Sequence, residues 1–369
     1  MLGTKRDETA LLGRLRRRIR EKGPITFAEF MEAALYDPAD GFYARAPIGR
    51  DGHFVTSPHV SPAFGDLVAR QLAESWDSLG KPSPFTVAEL GAGDGTLARR
   101  ILEAVAPLAD LAAALRYVAV ERTPGQSEAL RDDALETAGA LEELGPLTGC
   151  VIANELLDNV PFHRLRERDG RVVEVKVGED DGSLVEVEAD PSDEALGALG
   201  RPLAPGEERP VSPKAMEIVR DVAGALERGY AFLFDYGFVA GETPGPVHAY
   251  RDHKVLADVF EDPGGRDVTA AVDLEAVAAE ALTAGLQVWG PVTQREALLA
   301  LGYRLWSAGV RKRQAETQDA REANRLYEAR SRASILIDED KLGGLYLLAL
   351  GTEGLPPPVS VLGDRDAGC

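Results

Sequence analysis

The chain has 369 residues, of which 44% are hydrophobic and 28% charged, a composition that supports a large buried core and argues against a disordered chain. Its 61 acidic against 41 basic residues give a formal charge of -20, a field that repels a phosphate backbone, so nucleic acid is not an expected partner. Cys150 and Cys369, the only cysteines, lack disulfide-framework or metal-site spacing; no apolar run reaches the roughly 18 residues that span a bilayer and no secretory apolar stretch opens the chain, so the expectation is a cytoplasmic, non-membrane protein.

Leu11, Leu12, Leu15 and Ile19 recur at helical spacing among Arg14, Arg16, Arg17, Arg18 and Arg20, which predicts a first amphipathic helix with a solvated basic face. Gly23-Pro24 interrupts it, and Thr26 with Glu29 forms a capping box for a helix from Phe27 to Leu35. Residues 37–62 hold many Gly, Pro and aromatic residues and read as an ordered loop rather than a linker. A helix over about Ala63–Leu79 follows, with Phe64, Leu67, Val68, Leu72 and Trp76 on one face.

From Pro84 the pattern becomes strand, glycine turn, helix: Phe85 to Leu90, then Gly91 to Gly95, then Thr96 to Val105. Further strands are expected at Tyr117–Val120, Cys150–Ala153 and Ala231–Phe234, with a helix near Gln126–Leu135 between the first two. Such alternation implies right-handed crossovers and a parallel sheet, with ligands at the carboxyl ends of the strands. Alternating valines over residues 171–188 around Asp181-Gly182 predict a hairpin. Pro191 to Pro213 reads as a surface excursion, and Pro213 to Leu226 as a helix. Helices are expected over Asp273–Ala284 and from Gln294 through the 320s; Ile335-Leu336-Ile337 and Tyr346–Leu350 are expected to pair as antiparallel strands, before a frayed tail at 352–369.

The glycine turn Glu89-Leu90-Gly91-Ala92-Gly93-Asp94-Gly95-Thr96 carries the most chemistry. A dinucleotide site wants a third glycine where Thr96 stands, and it rests a diphosphate on the helix N-terminus. A carboxylate beside that turn, Glu89, is badly placed for a diphosphate and well placed for the ammonium group of S-adenosylmethionine, the expected cofactor. Glu121 ends the next strand, where a carboxylate accepts hydrogen bonds from both ribose hydroxyls; helix N-terminal stabilisation is the bland alternative. Asn154, Glu155 and Asp158 follow the Val151-Ile152-Ala153 strand, beside the expected methyl group. Helix capping is their alternative role and would account for Asp158 by itself. Methyl transfer needs positioning and desolvation more than a strong base, and a carboxylate here could orient an amine or guanidinium and accept its proton. The histidines, at 53, 59, 163, 248 and 253, have no metal-ligand spacing and read as isolated surface or packing residues, and no metal is expected.

These residues, with Gly23-Pro24-Ile25-Thr26-Phe27, Ala34-Leu35-Tyr36-Asp37-Pro38, Thr56-Ser57-Pro58, Ala153-Asn154-Glu155-Leu156-Leu157-Asp158, Asp235-Tyr236-Gly237, Asp267-Val268-Thr269-Ala270 and Thr293-Gln294, give a chain that resembles the MidA family of methyltransferases over Leu12 to Gly351. That family includes a mitochondrial complex I assembly factor acting on an arginine. The resemblance implies an α/β protein with a Rossmann-like class I methyltransferase sheet, an added helical lobe and N-terminal helices. It divides the chain into N-terminal helices and an active-site loop over 1–82, a core over 83–351 with an inserted hairpin and helical lobe at about 165–230 and 290–330, and the tail. Glu89, Gly91, Gly93, Gly95 and Glu121 carry over as donor-binding residues, joined by Thr56 and Ser57 from the loop that helps form the cleft. His59 departs from the family, whose members usually have an acidic residue there. The implied activity is methylation of arginine on a protein acceptor. The alternatives are a donor-binding assembly protein with little turnover, or a small-molecule O- or N-methyltransferase. A basic protein surface suits the acidic chain, although solubility explains the charge equally well, and a homodimer is the expected self-association.

Overall fold

In the computed structural model, which describes residues 10–45, 56–132, 135–199, 202–251, 254–256 and 258–363, the alternation that starts at Pro84 becomes one seven-stranded sheet. Its strands are β1 (Phe85–Leu90), β2 (Leu115–Val120), β3 (Glu136–Ala138), β4 (Leu147–Asn154), β5 (Leu226–Asp235), β6 (Gln287–Thr293) and β7 (Tyr346–Gly351). They lie in the order β6-β7-β5-β4-β1-β2-β3. β1 to β5 run parallel, and β7 is antiparallel to both β5 and β6. The usual doubly wound order is 3-2-1-4-5-6; here one antiparallel strand is inserted near an edge. The chain reverses its direction of sheet growth at β1, between β2 and β4, so the carboxyl ends of these strands flank the crevice where such sheets bind ligands.

The described residues fall into two compact units: those within 55–157, 218–237 and 277–369 form the sheet unit, and those within 1–54, 158–217 and 238–276 form the other. In the sheet unit, the helix Pro62–Ser78 buries Phe64, Leu67, Val68 and Leu72 in a core shared with Phe85, Val87, Ile152 and Phe232. Each such side chain contributes on the order of 1.5–3 kcal/mol by leaving water, and Phe64 adds an edge-on contact to Phe234 at 5.2 Å between centroids. Where the sheet centre is tightest, side chains are absent. Gly149 pairs with Thr86 on β1 and with Gly229 on β5, and a Cβ built on Gly229 would lie 2.0 Å from the Gly149 carbonyl oxygen.

The second unit carries antiparallel sheets beside its helices. Thr26 and Glu29 form the predicted capping box, and Phe27 stacks on Phe162 at 5.2 Å. The hairpin expected over 171–188 is the strand pair Arg171–Asp180 and Ser183–Ala189, turned by Asp181 and Gly182, both at positive φ. It lies in a four-stranded sheet with His163–Arg168 and Glu208–Val211. Helix Ala10–Lys22 buries Leu11, Leu15 and Ile19. Its basic face is paired rather than merely solvated: Arg14 bonds Asp37 and Asp40, Arg16 and Arg20 reach Glu179, and Arg18 meets Glu29.

Three C-terminal expectations change. The helix foreseen from Gln294 through the 320s is broken into Gln294–Ala300, Tyr303–Glu316 and Ala320–Ala333, because Gly302 adopts φ +87° and Asp319 starts a new helix by accepting from the Arg321 N–H. Ser334–Ile337 is a 3-10 turn, not a strand, since β7 already has β5 and β6 on its two edges. The stretch 352–363 is not frayed: Leu355 and Ser360 are buried, and the Ser360 N–H donates to Gln71 Oε1 at 2.9 Å.

The glycine contact at the sheet centre sets a stability test. Gly229→Ala should lower unfolding free energy by about 1–3 kcal/mol, the scale of overpacking against a neighbour that cannot move, as read by urea denaturation. A change within 0.5 kcal/mol, roughly the range of an uninvolved surface substitution, would show that the β4–β5 spacing relaxes freely.

Candidate functional site

The glycine turn closes the carboxyl end of β1. Gly91, Gly93 and Gly95 take φ of +66°, +57° and +76°, a backbone region that side chains disfavour. A Cβ on Gly91 would also stand 2.8 Å from Leu156 Cδ1, so the turn leaves a cradle of bare backbone. Around it stand Glu89, Asp94 and Glu121. Glu89 is buried and accepts a 2.7 Å hydrogen bond from the Tyr117 hydroxyl on the adjacent β2. Burial pushes its carboxyl up to about 8; the Tyr117 bond opposes the rise, while the nearby charges of Asp94 and Glu121 add to it. Glu121, also buried, accepts from the Thr123 N–H at 2.9 Å and weakly from the Gly93 N–H at 3.4 Å. Burial raises it too, against the pull of those N–H groups. The residues therefore suit a cationic ligand with vicinal hydroxyls: a backbone cradle, two buried carboxylates and little positive charge.

At the ends of β4 and β5 a second group assembles. Glu155 has φ +50°, rare for a side chain of this size and a mark of local strain that surrounding bonds must hold. Its N–H donates to the Phe234 carbonyl, and the next two N–H groups, of Leu156 and Leu157, donate to the buried Asp235 carboxylate at 3.1 and 2.7 Å. Glu155 Oε1 accepts from the Asn154 amide at 3.1 Å and from the Ser57 N–H at 2.8 Å. Ser57 opens the short helix Ser57–Val60, and its hydroxyl donates to Gln294 at the end of β6 at 3.0 Å. Thr56, just ahead, shares a 2.7 Å bond with His59 Nδ1, and His59 Nε2 reaches Asp94 in the glycine turn at 3.0 Å. Burial would raise the Asp94 carboxyl, but the bond and charge of His59 and the Thr96 N–H outweigh it and hold it below the ordinary range.

Thus Glu89, Gly91, Gly93, Gly95, Glu121, Thr56, Ser57, Asn154 and Glu155 all belong to the sheet unit. Asp158 does not: it lies in the other unit, where its carboxylate accepts from the Thr269 hydroxyl at 2.8 Å. In the same unit Asp267 accepts from Tyr43 at 3.2 Å and Asn159 at 2.9 Å. Burial and the Asp158 charge push Asp267 up to about 8. Tyr117, Asp94 and His59 have no individual role in the sequence reading, Gln294 is marked only by family pattern, and Asp235 by that pattern and by its place at the end of the Ala231–Phe234 strand. His59 is not isolated, being 8% exposed and bonded at both ring nitrogens. Residues 46–55, with His53 and the middle of the expected loop, and His253 lie outside the described residues. Among the described residues no group of three or more His, Cys, Asp or Glu is arranged to hold a metal, and no helix is long and apolar enough to cross a membrane.

A family model described as an S-adenosyl-L-methionine-dependent methyltransferase matches residues 67–292. The chain is 34% identical over 323 residues to the Drosophila melanogaster protein arginine methyltransferase NDUFAF7 homolog, mitochondrial, covering 77% of this chain and 73% of that one. To the human mitochondrial protein arginine methyltransferase NDUFAF7 it is 29% identical over 339 residues, covering 80% and 74%. A Burkholderia thailandensis structure, described as a methyl transferase candidate bound to S-adenosyl-homocysteine, superposes with a TM-score of 0.82 at 29% identity, over 98% of this chain and 96% of that one. These findings overturn the cytoplasmic expectation, because the curated relatives are named mitochondrial. Few cysteines and the lack of a membrane-spanning run do not separate one compartment from another.

Two titrations follow. If Glu89 is the group that meets a ligand ammonium it must ionise to do so, and affinity for S-adenosylhomocysteine should then climb as pH rises through about 8. Tyr117→Phe, which removes the bond that lowers Glu89, should move the climb to higher pH. Calorimetry from pH 6 to 9.5 measures both, with Glu89→Gln reporting the ligand's own titration; identical profiles for wild type and Glu89→Gln would remove Glu89 from the contact. Asp267 makes the opposite demand on folding. Its folded value, about 8, lies above the ordinary 3.8, so its contribution is full below about 4 and is lost as pH rises through 8. Asp267→Asn should therefore flatten the decline in melting temperature between pH 6 and 9, and an unchanged slope would count against a protonated Asp267.

Proposed function

The chain belongs to the S-adenosyl-L-methionine-dependent methyltransferase family, and from that premise we propose that it methylates an arginine side chain of a protein acceptor, with Glu155 as the group that receives the arginine. The observation that carries this reading is the Glu155 carboxylate, held by the Ser57 N–H and the Asn154 amide at the carboxyl edge of the sheet on a strained backbone. The protein arginine methyltransferase names of the relatives support the acceptor class.

When bound, S-adenosylmethionine supplies a methyl group already activated by its sulfonium. Glu89 would hold the donor ammonium, Glu121 the ribose hydroxyls, and Gly91, Gly93 and Gly95 would let the backbone approach. The open cradle and the acid-rich surroundings fit that cation. Glu155 orients the guanidinium by an ion pair and takes the proton that the attacking nitrogen must lose. That role needs a carboxylate, since arginine keeps its charge to a pKa above about 12 in water. Asn154 and Ser57 fix the carboxylate by donating to one oxygen, Oε1.

The test is transfer of a labelled methyl group to proteins of a cell extract, with methylarginines identified by mass spectrometry of the hydrolysate. Glu155→Gln should leave the calorimetric affinity for S-adenosylhomocysteine unchanged and cut transfer about 10²-fold or more, the scale of a lost positioned acid or base. Transfer within about twofold of wild type would refute the role of Glu155, and loss of ligand binding would move it to the donor site. Label on a residue other than arginine would refute the acceptor.

A further inference from the structure

The short helix Ser57–Val60 is bonded both to the Glu155 carboxylate and to the glycine turn. At its first residue the Ser57 N–H donates to Glu155 Oε1 at 2.8 Å. At its third, His59 Nε2 lies 3.0 Å from Asp94 Oδ2, inside the glycine turn. Asp94 is in turn fixed within that turn: its other oxygen accepts from the Thr96 N–H at 3.0 Å, and its carbonyl accepts from Arg99 at 2.8 Å. Asp94 is held below the ordinary carboxylate range and so ionised, and it can only accept, so His59 carries its proton on Nε2. Nδ1 shares a 2.7 Å bond with the Thr56 hydroxyl. Both ring nitrogens are thereby used, and the imidazole has one orientation.

We propose that His59 is a positioning residue that ties Glu155 to the donor turn: through the helix Ser57–Val60, ordering the turn around the donor fixes the N–H that holds the Glu155 carboxylate. The inference rests on Glu155 as the receiving group for its catalytic meaning, but not for the tie itself. Its physical basis is the shortness of the route. From Asp94 to Glu155 it runs through three residues of one helical turn and two hydrogen bonds, both to carboxylates and thus of the stronger kind. The helix has a further anchor, Ser57 Oγ to Gln294, and Gln294 is itself buried and donates to the Leu336 carbonyl at 3.2 Å. With that end fixed, His59 is the link that responds to the donor turn. A donor that settles against Gly93 and Gly95 restrains Asp94 between them, and His59 passes the restraint to Ser57.

Hydrogen exchange of the segment 56–62, with and without saturating S-adenosylhomocysteine, reads the tie in the full chain and needs no methyl acceptor. In wild type the ligand should slow exchange at Ser57, His59 and Val60. His59→Leu should lose that slowing and weaken ligand affinity about tenfold, the scale of a lost hydrogen bond to a charged group. His59→Gln, whose amide nitrogen reaches the same position and can donate to Asp94, should restore both. Glu155→Gly, a residue suited to the positive φ at that position, should speed Ser57 exchange in the ligand-free protein. Slowing that survives in His59→Leu overturns the tie, as does a wild-type melting temperature in His59→Gln without restoration. These outcomes are independent of the transfer assay: normal transfer by Glu155→Gln would remove the catalytic reading of Glu155 and leave the exchange result standing, whereas His59→Leu indistinguishable from wild type would remove the tie and leave Glu155 in its role.

Discussion

Asp235, the last residue of β5, is buried, and its carboxylate accepts the N–H groups of Leu156, Leu157 and Tyr236. The turn after β4 would otherwise leave donors unpaired beside the sheet, each costing about 1–3 kcal/mol. With the Glu155 N–H on Phe234, these bonds over-determine the backbone and keep Glu155 at φ +50°. The strain of order 1–3 kcal/mol at such a position persists only because its neighbours hold it. The direction of the Glu155 side chain depends on this one carboxylate and on the parallel pairing of β4 with β5 that brings it alongside.

The electrostatics of the donor turn follow from where its acids sit. Glu89 and Glu121 are buried at adjacent strand ends, and burial raises both. A protein gains nothing in stability from two such carboxyls in the absence of a cation. Their arrangement makes sense as a site whose missing charge is supplied by the ligand. Asp94 differs because His59 and the Thr96 N–H already satisfy it. The three acids thus differ in how far hydrogen bonds offset burial: they outweigh it at Asp94 and do not at Glu89 and Glu121.

Much of this was legible in the sequence because its signals are local. The strand, turn and helix from Phe85 to Val105, the Thr26 capping box and the Asp181-Gly182 turn each follow from residues a few positions apart. Glu89 and Glu121 could be singled out because each stands at the end of an apolar strand. What could not be read is every contact that needs the sheet closed. Tyr117 meets Glu89 across 28 positions, His59 meets Asp94 across 35, and Ser57 meets Glu155 across 98. No periodicity encodes those separations. The C-terminal departures have a different origin: Ile335-Leu336-Ile337 is apolar enough for a strand, but both edges of β7 are taken, so tertiary pairing overrides local preference.

Asn154, Glu155 and Asp158 show how sequence proximity misleads. They read as one acidic loop, yet the boundary between the compact units falls after Leu157. Asn154 and Glu155 answer to the sheet, through Phe234, Asp235 and Ser57. Asp158 answers to Thr269, and through its charge to the buried Asp267, Tyr43 and Tyr250. The two carboxylates therefore meet different demands. Glu155 Oε1 is held by two donors, the Ser57 N–H and the Asn154 amide. Asp158 shares a buried neighbourhood with a second acid, where one negative charge raises the cost of the next and a proton tends to be retained. The donors on Glu155 and the acid beside Asp158 thus give two carboxylates of one sequence stretch different surroundings.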